Sequence, residues 1–119
     1  MWIDLKNGTT LDEISAVAKF VTDIDIDVVR NESYHFSKND MVAIEFLTFR
    51  DGRGFSLAHL LRRDIGFVGR LVALGRVLPD QAQMLFRSGF DYADMGNKKI
   101  ADWQAAIKNF SVFYQNAFR

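Results

Sequence analysis

Apolar residues run from Met41 to Leu47, broken only by Glu45, and the pattern returns in Leu71-Val72-Ala73-Leu74-Gly75. Strands buried on both faces of a parallel sheet read this way. Asp91-Tyr92-Ala93-Asp94-Met95 predicts a third strand in the same register. Helical spacing lies between them. Leu57, Leu60 and Leu61 share one side of a helix expected from Phe55 to about Asp64, which Gly66 ends. Pro79 suits the first position of a second helix, closed by Gly89. A last helix from about Ile100 to Phe110 aligns Trp103, Ala106, Ile107 and Phe110. Nearer the N-terminus, Thr10-Leu11-Asp12-Glu13 has the form of a capping box. Leu11, Ile14, Val17, Ala18 and Val21 follow at helical spacing, so a first helix is expected to about Val21. Ile24-Asp25-Ile26-Asp27-Val28-Val29 alternates with period two and predicts a short strand, and Asn31 to Asp40 is polar and turn-like.

Strands alternating with helices imply right-handed parallel crossovers. The expected fold is therefore α/β: one small domain over residues 1–119, with about four mainly parallel strands and alternating helices, as an open sheet or half of a barrel. A chain of 119 residues can bury roughly two thirds of its unfolded surface. It is 49% hydrophobic and 25% charged with 1 proline, the profile of a folded protein. Its 11 phenylalanines are first a core and second a reserve for a partner surface, with Phe113 and Phe118 as candidates.

Charge and cysteine usage exclude whole classes of function. Fifteen basic and fifteen acidic residues cancel, so no global field draws the chain to nucleic acid or a membrane surface. Cysteine is absent, which removes disulfides, thiol nucleophiles, cysteine-held zinc and iron–sulfur clusters. No apolar run reaches the ~20 residues of a membrane helix, and Met1-Trp2-Ile3-Asp4 lacks a signal-peptide pattern, so the cytoplasm is expected.

Candidate chemistry gathers where the predicted strands end, the edge at which parallel sheets hold ligands. Arg50-Asp51-Gly52-Arg53-Gly54 follows the first central strand, Gly75-Arg76-Val77-Leu78-Pro79-Asp80-Gln81 the second, and Gly96-Asn97-Lys98-Lys99 the third. The glycines at 52 and 54 let the chain turn and expose amides, and Arg53 can clamp a carboxylate, sulfate or phosphate with two parallel bonds. Equally, Arg53 can pair with Asp51 or Asp80 and tie two loops together. Ser56 reads as a capping group, while Asp80 and Gln81 can either meet a ligand or satisfy first-turn amides. The ligand-binding set expected is Asp51, Gly52, Arg53, Gly54, Ser56, Gly75, Asp80 and Gln81. Catalytic residues are unknown. His35 and His59 stand without a carboxylate pattern, and no metal is expected. Neither a dinucleotide fingerprint nor a P-loop is complete around these glycines.

Several blocks recur in a familiar order: Asp51-Gly52-Arg53-Gly54-Phe55-Ser56, Leu60-Leu61-Arg62, Gly66-Phe67-Val68-Gly69, Leu74-Gly75-Arg76-Val77-Leu78-Pro79-Asp80-Gln81, Ser88-Gly89-Phe90-Asp91 and the tail Phe110 to Gln115. From Val42 to Gln115 the chain resembles a bacterial family known as domain of unknown function 934, whose members are often labelled oxidoreductases of sulfite reduction. The resemblance implies a place in sulfate or sulfite assimilation, by association with sulfite reductase and sulfate-activation genes. It names no reaction. The chain departs from the family where Leu47-Thr48 replaces a Pro-Lys pair, His59 and Pro79 each replace an arginine, and Arg76 replaces an aspartate.

Taken together, these features lead to an accessory or anion-binding protein of sulfate or sulfite reduction. Its expected partners are a small anion, and sulfite reductase or another sulfate-assimilation protein. A homo-oligomer stays open. Two alternatives also stand: a small oxidoreductase or transfer enzyme with a bound cofactor, for which a flavin in an unfamiliar site stays open, and a pure interaction module. The cofactor is unknown. An oxidoreductase needs an electron carrier, and this chain lacks the cysteines and the fingerprint that would hold the common ones.

Overall fold

The computed structural model describes residues 1–114, with side chains described through Lys108. The side chains of Phe110, Phe113 and Phe118, expected above in the core or on a partner surface, lie outside the described residues. Six strands form one sheet: β1 (Trp2–Asp4), β2 (Thr10–Leu11), β3 (Ala18–Val21), β4 (Met41–Phe46), β5 (Arg70–Gly75) and β6 (Tyr92–Asp94). Helices α1 (Ile26–Ser33), α2 (Arg53–His59), α3 (Ala82–Ser88) and α4 (Ile100–Tyr114) complete the α/β fold.

The strands lie in the order β2-β1-β6-β5-β4-β3. β3, β4, β5 and β6 are mutually parallel and adjacent in chain order, while β1 runs antiparallel to both β6 and β2. The parallel part is thus an open sheet with the sequential strand order of a barrel segment. Right-handed crossovers between successive neighbours place the connecting helices on one face. The alternation along the strands agrees. Phe20, Val42, Ile44, Phe46, Leu71, Ala73, Ala93 and Ile3 share a face and are all buried. The other face carries Lys19 and Glu45, paired at 3.0 Å, beside the small buried residues Ala43 and Val72.

The helix-side core is aromatic. Phe46 packs edge-on against Phe55 of α2 and tilted against Phe90, with ring centroids 5.3 Å and 5.8 Å away. Trp103 and Ile107 of α4 are buried as their spacing predicts. The helix expected after the glycine turn starts at Arg53, and its second half, Leu60–Ile65, widens into a π-helix. It stops at Gly66, whose φ of 79° lets both its own amide and that of Phe67 reach the Leu61 carbonyl. Pro79 opens a 3-10 turn, Pro79–Gln81, that leads into α3.

Two N-terminal expectations are overturned. No helix spans Thr10 to Val21. Thr10–Leu11 pairs with β1 as β2, and Ala18–Val21 enters the sheet beside β4 as β3. The helical spacing there was coincidental, for Val17 is exposed while Phe20, off that stripe, is buried. The predicted strand from Ile24 to Val29 is instead the start of α1. Asp25 caps that helix by accepting a hydrogen bond from the Asp27 amide at 2.8 Å, and Val29 and Ser33 are its buried residues. Alternating aspartates signalled a helix N-terminus, where acidic side chains meet free amides and the positive end of the dipole. Among the described residues no helix is long and apolar enough to cross a membrane.

Candidate functional site at the carboxyl edge of the sheet

Because β3 to β6 follow one another in order, the parallel sheet has no point at which the strand order reverses and opens a crevice. A site at its carboxyl edge must be built from the loops, and hydrogen bonds join these loops side to side. Thr22, the first residue past β3, continues the alternation Ala18, Phe20, Thr22 and is buried. Its hydroxyl donates to the Asp51 carboxylate in the loop after β4. That loop is tied in turn to the one after β5, since Gln81 donates from Nε2 to the Phe49 carbonyl at 2.7 Å.

Asp51 is the centre of this arrangement. Its side chain is 3% exposed, and both oxygens face Arg53: Nε donates to Oδ1 at 2.8 Å and Nη2 to Oδ2 at 3.1 Å. The Arg53 amide adds a third bond to Oδ1 at 3.2 Å. The Arg53 hydrogen bond is the largest cause of a carboxyl pKa lowered to about 2, partly opposed by burial and reinforced by Thr22. In the other direction the carboxylate holds the guanidinium charged more firmly than usual. Of the two partners expected for Arg53, the structure selects Asp51.

The glycines of the turn have different roles. Gly54 is buried, and a β-carbon there would lie 2.2 Å from the Phe46 ring. Gly75, at φ 84°, would bring a β-carbon within 2.5 Å of the Phe46 carbonyl. Both residues are small because Phe46 passes close by. Gly52 has nothing within 4 Å, and it alone of the three faces open space. Ser56 lies a turn inside α2, where its hydroxyl donates back to the Gly52 carbonyl at 3.4 Å, a place within the helix rather than at its cap. The Gln81 side-chain oxygen Oε1 accepts from the Leu78 amide at 2.8 Å and closes the 3-10 turn.

The structure therefore gathers Asp51, Gly52, Arg53, Gly54, Gly75 and Gln81 around the two loops. Asp80 faces elsewhere, into a groove shared with His59 and Arg63 on the helical side. Arg76 joins the edge, its guanidinium 5.7 Å above the Phe49 ring, with Arg50 exposed on the same loop. Sequence reasoning missed Thr22, although its two-residue step from Phe20 pointed it inward. The described residues hold no group of three or more His, Cys, Asp or Glu side chains arranged to hold a metal. The edge thus presents an oriented guanidinium, two further arginines and a solvent-facing glycine.

The model of a family described as bacterial protein of unknown function, DUF934, matches residues 11–119. No curated protein and no solved structure matches the chain.

Proposed function

The chain belongs to the DUF934 family, and we propose that it serves sulfate or sulfite assimilation as an accessory protein that receives a small anion at the carboxyl edge of its sheet. The blocks shared with that family, and the association they imply, support the pathway. One observation carries the anion. Arg53 is 58% exposed, yet its orientation is fixed by a buried carboxylate that engages only Nε and Nη2. A guanidinium already held in place loses little freedom on binding, and Nη1 takes part in neither of those bonds. Asp51 cancels much of the Arg53 charge, so Arg76 and Arg50 supply the attraction and Arg53 the geometry. Candidate partners such as sulfite reductase would meet the protein at this same edge.

Thermal unfolding tests the reading. Sulfate, sulfite, phosphate or an adenylylated sulfate should raise the melting temperature, by an amount corresponding to about 2.7 kcal/mol at a hundredfold excess over Kd. Arg53→Ala should abolish that shift, and Arg76→Ala should weaken it. Arg53→Lys, which keeps a cation beside Asp51 but loses the fork, should fold normally and bind less well. A transition that none of the four anions moves would remove the main support for anion binding.

A further inference from the structure

β2 lies at one edge of the sheet and β3 at the opposite edge, so the chain from Leu11 to Ala18 passes the whole sheet. Five interstrand steps separate these strands, about 24 Å along a flat sheet. The seven residue steps available reach at most about 25 Å when fully extended. Residues 12–17 therefore run nearly straight. The helices pack on one another in a single layer, α1 on the π-helical end of α2, α2 on α3 and α3 on α4. No length remains to climb over that layer, about 10 Å thick, so the segment crosses the other face. Burial there agrees: Ala43 and Val72 are 1% and 0% exposed on the face that the helices leave uncovered. Ile14, midway along the segment, is half-buried, while Asp12, Glu13, Ser15, Ala16 and Val17 are exposed.

This strap is weakly held. Among the described residues no hydrogen bond or ion pair involves residues 12–16, and the first tie after β2 is the Val17 amide, which donates to the Met41 carbonyl at 2.8 Å. The surface of this face is also incompletely satisfied. Trp2 stands on it in register with Leu11 and Asp94, and its indole Nε1 is buried without an acceptor among the described residues. A buried donor left unpaired costs free energy that contact with water restores. Exposed backbone without hydrogen bonds and with a single apolar anchor belongs to the least stable parts of a native structure.

We infer that residues 12–17 are a releasable strap, seated on the second face through Ile14, which lifts while the sheet and its helices stay folded. Closed, it hides Ala43 and Val72. Open, it displays them with Tyr92 as one row across β4, β5 and β6, and it admits water to the Trp2 indole. The device is a conformational switch on the side of the sheet away from the helices. It uses none of the residues of the carboxyl-edge site and stands independently of that reading.

Thiol labelling tests it in a chain that has no cysteine of its own. Val72→Cys puts one thiol beneath the strap, and Ala73→Cys puts one on the helix-side face at the next position. In native buffer the Val72→Cys thiol should react with a small reagent at least tenfold faster, through an opening that low urea concentrations hardly change. Ala73→Cys should react only through global unfolding and so accelerate with urea. Adding Ile14→Ala should speed the labelling of Val72→Cys at least threefold and leave that of Ala73→Cys as it was. Ala43→Cys repeats the measurement at a second position under the strap, so that one poorly folded variant does not decide the result. Labelling of both strap-face thiols that merely tracks global unfolding would overturn the inference. So would an Ile14→Ala effect confined to Ala73→Cys, which would place the segment on the helix side.

Discussion

Burying a carboxylate costs several kcal/mol unless donors surround it, and Asp51 is surrounded by the Arg53 side chain, the Arg53 amide and the Thr22 hydroxyl. Its folded pKa lies below that of the unfolded chain, so the folded state binds fewer protons. The stability this group contributes is fully present above the unfolded value near 3.8 and is lost as pH falls through about 2. Asp51→Asn keeps the shape but leaves Arg53 facing a neutral amide. It should lower stability at pH 7 by roughly 2 kcal/mol. Urea unfolding of the two proteins should then show curves that converge as pH drops below about 4. A constant difference from pH 7 to pH 2 would mean that the ion pair contributes through packing alone. At this scale the sequence was half legible. The Asp-Gly-Arg-Gly block announced an Asp51–Arg53 pair as one alternative, because two residues of opposite charge at i and i+2 in a turn are within reach. That Gly54 and Gly75 exist for Phe46 depended on how β4 meets α2 and β5, which no local pattern encodes.

Among the helices expected from the sequence and found, the stretch from Arg53 to Ile65 departs furthest from a regular geometry. Its boundaries were readable from the glycine turn and Gly66, but a regular α-helix was expected throughout. The π-helical second half lets Arg62 point inward, where it donates to the carbonyls of Phe67, Gly69 and Gly89 and to the Asp91 carboxylate at 2.9 Å. Asp91 in turn accepts from the Leu71 amide at 3.0 Å, so one side chain joins α2, β5 and the loop before β6. A cation with few visible local partners reads in sequence as a solvated residue, and the three-element clamp was therefore invisible. Lysine cannot reproduce it, since an ammonium is a point donor and the carbonyls here diverge. Arg62→Lys should consequently cost about 3 kcal/mol, comparable to breaking a buried pair, in chemical denaturation. A loss below about 1 kcal/mol would show that solvent replaces the clamp at little cost.

For the whole molecule, the six-stranded sheet combines a sequential parallel unit with an antiparallel addition at its β6 edge. The parallel unit was legible from β4 onward because each apolar run and each helix carries its own period and its own stop signal. The N-terminal region was not. β1 and β2 are short strands whose place depends on pairing with β6, some ninety residues later, as in Ile3↔Ala93. Such non-local pairing leaves no mark in a short window, and there a coincidental helical spacing competed with it. The same difference should appear in stability. β4 lies between β3 and β5, with Val42, Ile44 and Phe46 buried against helices, so its amides open only with the core. β2 pairs with β1 alone, through Trp2↔Leu11 and Ile3↔Thr10, and the chain after it has no strand or helix until Ala18. Native-state hydrogen exchange should place Val42 to Ile44 and Leu71 to Ala73 in the slowest class, tracking global unfolding as denaturant is added. Thr10 and Leu11 should exchange through a local opening insensitive to denaturant. Equal protection of Thr10 and Ile44 would instead make the antiparallel addition part of the cooperative core, with β1 and β2 folding only when β6 is in place.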